Sequence, residues 1–159
     1  MDGPADTRYA TFNAHVAEVR VDPETGELRV LNYVAAQETG VMLNPIGFLG
    51  QIYGGFSQGP GHSLTEELPL DAGRVTVASL LDYKIPSIGD MPPMQAVVIE
   101  SSEGEGPYHT RGIGNKPISL PAPAIANAIA DACGARITQT PFTAERIYRA
   151  LRAAKPDSR

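Results

Sequence analysis

The chain has 159 residues, 42% of them hydrophobic, and a formal net charge of -5. This length suits one domain spanning 1–159, and the hydrophobic fraction is enough to fill a core. The acidic balance, with no basic run longer than two residues, excludes nucleic acid and anionic membrane surfaces as expected partners. Charged residues make up only 19% of the chain, below the roughly 25% usual for globular proteins. Ordinary variation is the commoner reason for a low charge fraction, and a surface that something else covers is the other. Cys133 is the one cysteine, so neither an intrachain disulfide nor a cysteine-based zinc site is expected. No apolar stretch approaches the ~18 residues of a membrane-spanning helix. The opening MDGPADT is acidic and lacks the apolar core of a signal peptide, so the expected compartment is the cytoplasm.

Residues 1–8 read as a loose tail. From Phe12 to Val21 apolar and polar residues roughly alternate, the period of a half-buried strand. Asp22-Pro-Glu-Thr-Gly26 supplies turn residues, and 28–36 reads as the returning strand of a hairpin. Asn44-Pro45 then has the cap and first-turn chemistry of a helix start, followed by Ile46, Leu49, Ile52 or Tyr53, and Phe56 at helical spacing. This helix carries Gly47, Gly50, Gly54 and Gly55. Each costs about 1 kcal/mol against alanine, so their number predicts close approach of a ligand or another backbone.

Further on, 68–81 reads as a strand pair around Asp71-Ala-Gly73, and 95–101 as another strand. Residues 103–107 and 111–115 read as glycine-rich loops. The alanine-rich stretch Pro121–Cys133, with Ile125 and Ile129 four apart, predicts a buried helix closed by Gly134. Residues 137–140 read as a short strand. Thr143 caps a last helix running to Leu151, with Glu145 in its first turn and Arg149 and Arg152 near its end. Residues 153–159 read as a second tail. Strands and helices without regular alternation define an α+β fold: mixed strands, a glycine-rich helix, an alanine-rich buried helix and a C-terminal helix.

The residue patterns by themselves name no chemistry. His15, His62 and His109 stand at no metal-ligand spacing, and no bound first-row metal is expected. His62 lies in Gly59-Pro-Gly-His62, where a ligand contact and a plain polar loop residue are equally good readings. Glu66 and Glu67, as sequence neighbours, cannot share a face. Ser79, Asp82 and Lys84 form no nucleophile motif, and Gly112-Ile-Gly114 lacks the third glycine of a dinucleotide fingerprint. What remains is a domain with two glycine-rich clusters, 47–61 and 104–123, built for close approach.

A series of motifs in order carries a resemblance. They are Val21-Asp-Pro-Glu-Thr-Gly-Glu-Leu-Arg-Val30, Asn44-Pro45, Gly50-Gln-Ile-Tyr-Gly-Gly55, Gln58-Gly59, Leu64-Thr-Glu-Glu67, Leu81-Asp-Tyr-Lys-Ile-Pro86, Asp90-Met-Pro-Pro93, Arg111-Gly-Ile-Gly114 and Ala124-Ile-Ala-Asn-Ala-Ile129. Together they resemble the C-terminal part of the molybdopterin-binding subunit of the xanthine dehydrogenase and aldehyde oxidase family, over about 11–151. The resemblance implies a molybdenum-pterin cofactor shared with partner chains. It also implies iron–sulfur clusters and FAD in partner subunits, and hydroxylation of aldehydes, purines or other N-heterocycles with oxygen from water. By position it implies cofactor contacts at Gln51, Gly54, Gly55, Gln58, Gly59, Gly112 and Gly114.

At the place of the family's catalytic glutamate, a general base, stands Asn115, and Lys116 stands where proline is usual. An amide has no site basic enough to act near neutral pH. Two readings follow. In the first, the chain is a small subunit or fragment of a molybdenum hydroxylase, completing the cofactor site with the remaining segments or subunits. In the second, it is a non-catalytic interaction or scaffold domain derived from such a subunit. In either, association with partners or with itself is expected near the helix around 46–56.

Overall fold

The computed structural model describes residues 11–102 and 106–154. Strands β1 (Phe12–Val21) and β2 (Leu28–Glu38) form the expected hairpin, antiparallel from Phe12↔Glu38 to Val21↔Leu28 with an irregularity between Glu18 and Val19. The turn is fixed by Asp22, whose Oδ1 accepts the N–H groups of Glu24 at 2.8 Å and Thr25 at 3.3 Å. Gly26 closes it at φ 76° against the backbone of Ala144 and Tyr148. A side chain there would be both strained and blocked.

After β2 the chain enters helix α1 (Pro45–Pro60), which widens into a single π-helical turn over Gly61–Thr65. A short ribbon, β3 (Leu70–Asp71) with β4 (Arg74–Val75), and a 3-10 turn at Ile88–Asp90 lead to β5 (Met94–Ile99). β5 returns parallel to β2, giving the sheet order β1-β2-β5. Two more 3-10 turns, Pro107–His109 and Lys116–Ser119, precede α2 (Pro121–Cys133) and α3 (Ala144–Ala154). The architecture is α+β.

One sheet face meets the helices. Tyr33 and Ala35 of β2, Phe48, Ile52 and Phe56 of α1, Ile125 and Ile129 of α2, and Ile147 and Leu151 of α3 form the core with Ile137 and Phe142. Each large side chain buried this way contributes about 1.5–3 kcal/mol of apolar transfer. α2 ends as its sequence implies, at Gly134 with φ 73° and its N–H bonded to the Ala130 carbonyl. The Thr143 hydroxyl accepts the Arg146 N–H at 3.3 Å, the capping contact expected for α3.

Three expectations are corrected. Residues 137–140 form no strand. Ile137 is buried in the core cluster, so its apolar signal reflects tertiary burial and not strand pairing. Within 68–81 only two residues on each side pair, around Ala72 at φ 45° and Gly73 at φ 81°, and the remainder is irregular. Ala153 and Ala154, expected in the tail, belong to α3. The expected tail at 1–8, the loop residues 103–105 and the end 155–159 lie outside the described residues.

Candidate functional site

α1 is organised by its cap. Asn44 Oδ1 accepts the Gly47 N–H at 3.0 Å, and Pro45 supplies a first-turn residue with no N–H to satisfy. The helix turns Phe48, Ile52, Gly55, Phe56 and Gly59 inward. Gly50, Gln51, Gly54 and Gln58 stand exposed. The glycines therefore divide into two sets. A Cβ on Gly55 would stand 2.9 Å from Pro117 Cβ and 3.3 Å from Asn115 Oδ1, and one on Gly59 would overlap the Pro121 ring. These two let the 3-10 turn Lys116–Ser119 and the start of α2 close onto α1. Gly50 and Gly54 would gain a Cβ with nothing within 4 Å, so their backbone lies open on the exposed strip.

The second glycine cluster arrives beside the first. Gly112 and Gly114 are exposed, with nothing within 4 Å of an added Cβ, and Gly114 takes φ 55°. Immediately after them Asn115 Nδ2 donates to Gln58 Oε1 at 3.1 Å. The turn that follows is tied to β1, where Asn13 Nδ2 donates to the Lys116 carbonyl at 3.4 Å and Lys116 Nζ donates to Thr11 Oγ1. The structure thus joins Gln58, Asn115 and the closely packed Gly55, and sets the open Gly54 and Gln51 on the same helix. Gly59 lies deeper, against α2. The open glycines suit a bulky polar group approaching along backbone, and the uncharged amides of Gln51 and Gln58 can exchange hydrogen bonds with it. On these residues a pterin-type cofactor fits.

The loop is fastened at its other end by groups that the sequence patterns did not single out. Glu38 closes β2. Its Oε1 accepts the Gly40 N–H at 2.9 Å and the Ser101 hydroxyl at 2.5 Å, and its Oε2 accepts Arg111 Nη1 at 3.0 Å. Only 12% of the Glu38 side chain and 8% of that of Arg111 are exposed. Burial alone would raise the Glu38 pKa, but the Ser101 hydroxyl, the Gly40 N–H and the Arg111 guanidinium together hold it below the usual carboxylate range. Backbone contacts reinforce the seam, with Arg111 N–H donating to Thr39 O at 2.8 Å and Val41 N–H to His109 O at 3.1 Å. An acidic residue ending a half-buried strand just before Thr39-Gly40 was the available signal, but its partners are far away in sequence.

His15 is the other unanticipated group. Its Nδ1 shares a hydrogen bond with the Tyr33 hydroxyl at 2.7 Å, and Tyr33 packs against Phe56 with ring centroids 4.3 Å apart. Burial lowers the His15 pKa to about 4 and raises that of Tyr33. His62 lies 3.9 Å from Glu66 and is largely exposed, while Glu66 accepts the Tyr83 hydroxyl at 2.6 Å. Glu67 pairs instead with Arg146 at 2.6 Å, so the adjacent carboxylates serve different partners. Among the described residues no cluster of His, Cys, Asp and Glu is arranged to hold a metal ion, and no helix is long and apolar enough to cross a membrane.

Comparison with known proteins identifies the family and the fold. The family model of the molybdopterin cofactor-binding domain aligns with residues 2–92, and the chain belongs to that family. It is 40% identical over 142 residues to the probable hypoxanthine oxidase XdhD of Escherichia coli strain K12, covering 88% of this chain and 15% of that protein. To the putative xanthine dehydrogenase molybdenum-binding subunit XdhA of the same organism it is 33% identical over 144 residues, covering 89% of this chain and 19% of the relative. Among solved structures, quinoline 2-oxidoreductase from Pseudomonas putida 86 superposes with a TM-score of 0.80 at 31% identity, over 89% of this chain and 18% of that one. The chain therefore spans less than a fifth of the length of these relatives.

Proposed function

We propose that the chain forms part of a molybdenum-cofactor-dependent hydroxylase or dehydrogenase acting on aldehydes, purines or other N-heterocycles. In it the chain completes a cofactor site together with the remaining segments or subunits. The carrying observation is the open backbone of Gly54, Gly112 and Gly114 beside the amides of Gln51, Gln58 and Asn115, in a chain of the molybdopterin cofactor-binding family. When bound, the molybdenum-pterin group supplies the oxidation chemistry, and on this reading iron–sulfur and FAD partners in the cytoplasm carry electrons away. This chain's residues would line and orient the group. Gln51 and Gln58 offer hydrogen bonds, the glycines allow approach, and Asn115 holds Gln58.

Asn115 takes the place of the family's glutamate on this reading and cannot accept a proton. General-base assistance is typically worth 10²–10⁴-fold, so this one residue also supports a second reading, a scaffold domain without turnover. The deciding experiment is purification of the native complex through a tag on this chain. Molybdenum and pterin are measured, and hypoxanthine, quinoline and an aldehyde are assayed in ¹⁸O-labelled water. Stoichiometric molybdenum with labelled product is expected, and Asn115→Glu should raise kcat with little change in KM. Bound molybdenum without turnover in either form supports the scaffold, and a complex free of molybdenum sinks the proposal.

A further inference from the structure

We infer that Glu38 is a positioning residue for the loop that ends at Asn115, acting through Arg111. The loop between Gly106 and Asn115 has a single 3-10 turn of its own, so its path depends on what fastens it. Tyr108 and His109 take φ of 56° and 60°, outside the regions L-residues prefer. Backbone of this kind persists where its surroundings over-determine it. Among the described residues, one carboxylate joins three of the segments around it. Glu38 ties the end of β2 through Gly40, the segment after β5 through Ser101, and the loop through Arg111.

The seam is close as well as charged. Gly40, at φ 76°, lies so near the His109 carbonyl that a Cβ would overlap it, and Gly40 forms an isolated bridge with Thr110. Four residues after Arg111, the Asn115 amide reaches Gln58. The intervening Gly112 and Gly114 have no side chains to hold their course. The anchor at Arg111 therefore fixes the near end of the loop, while Ile113 packs against the core and the turn after Asn115 is held to β1 and α1 at the far end. A part-buried ion pair at one end of a glycine-rich loop fixes that end, since removing one partner leaves the other charge poorly compensated.

The test is hydrogen exchange on the full chain, read peptide by peptide, for Glu38→Gln and Glu38→Asp. Glu38→Gln keeps the shape and removes the charge. Exchange in 108–113 should rise about tenfold or more, with α2 and α3 unchanged, and Glu38→Asp should restore most of the protection. If Glu38→Gln does not fold, Arg111→Gln and Arg111→Lys are read in the same way. Unchanged exchange in 108–113, or a rise shared by α2 and α3, overturns the inference. In the molybdenum-loaded complex, whose existence rests on the function proposed above, Glu38→Gln should lower kcat about tenfold with KM held. A wild-type complex without turnover would count against that function and leave the exchange result standing.

Discussion

Near pH 6 His15 binds a proton readily in the unfolded chain and refuses it in the folded one. Burial of this β1 residue lowers its pKa from 6.5 to about 4, and its Nε2 has no hydrogen-bond partner among the described residues. Below pH 6.5 the unfolded state takes up a proton that the native state excludes until about pH 4. Stability therefore falls through that window and levels off beneath it. Urea unfolding at pH 7 and pH 5 should show a loss of about 1–2 kcal/mol, discounted for partial solvent access. The loss should be absent in His15→Gln, and parallel losses in both proteins would show that other groups set the acid response. Nothing in the sequence around His15 announced this. Its pairing with Tyr33 depends on hairpin register, and the helix packed on its strand, α2, lies more than a hundred residues on.

At the scale of elements, the two glycine sets of α1 respond oppositely to substitution. Gly59→Ala drives a methyl into Pro121 at the crossing with α2 and should cost about 1–3 kcal/mol, read by thermal denaturation. Gly54→Ala meets open space. In the isolated chain it should stabilise by up to about 1 kcal/mol, while in the assembled complex it should reduce cofactor loading. A Gly54→Ala complex with full molybdenum content would show that this backbone does not face the cofactor. The sequence carried the hairpin, α1, α2 and α3 well because each rests on local periodicity and caps. It did not carry the split between Gly54 and Gly55. Neighbouring glycines look alike until it is known which face of the helix Pro117 covers. The seam at Glu38 was hidden for a related reason, since Arg111 lies 73 residues away and no periodicity links them.

For the whole molecule, the sheet is covered on one face and largely bare on the other. Phe12 is 69% and Val16 65% exposed, on the side opposite Tyr33 and Ala35, and Ile46 on α1 is 86% exposed. Groups of this size left to water favour association, as the low charge fraction suggests. Light scattering on the isolated chain should give a mass above 16.9 kDa that grows with concentration. Phe12→Ser with Val16→Ser should bring it down, and a wild-type monomer at every concentration would rule out self-association. The return of β5 alongside β2, pairing Tyr33 with Met94, also bears on the expected order of folding. The hairpin can close over a few residues as soon as it is made. Gln58 precedes β5 and Asn115 follows it, 57 residues apart, so their amide contact closes a long loop, the slower kind of step. The candidate site is therefore expected to form after the hairpin, and a nascent chain halted before β5 carries Gln58 without Asn115 to meet it.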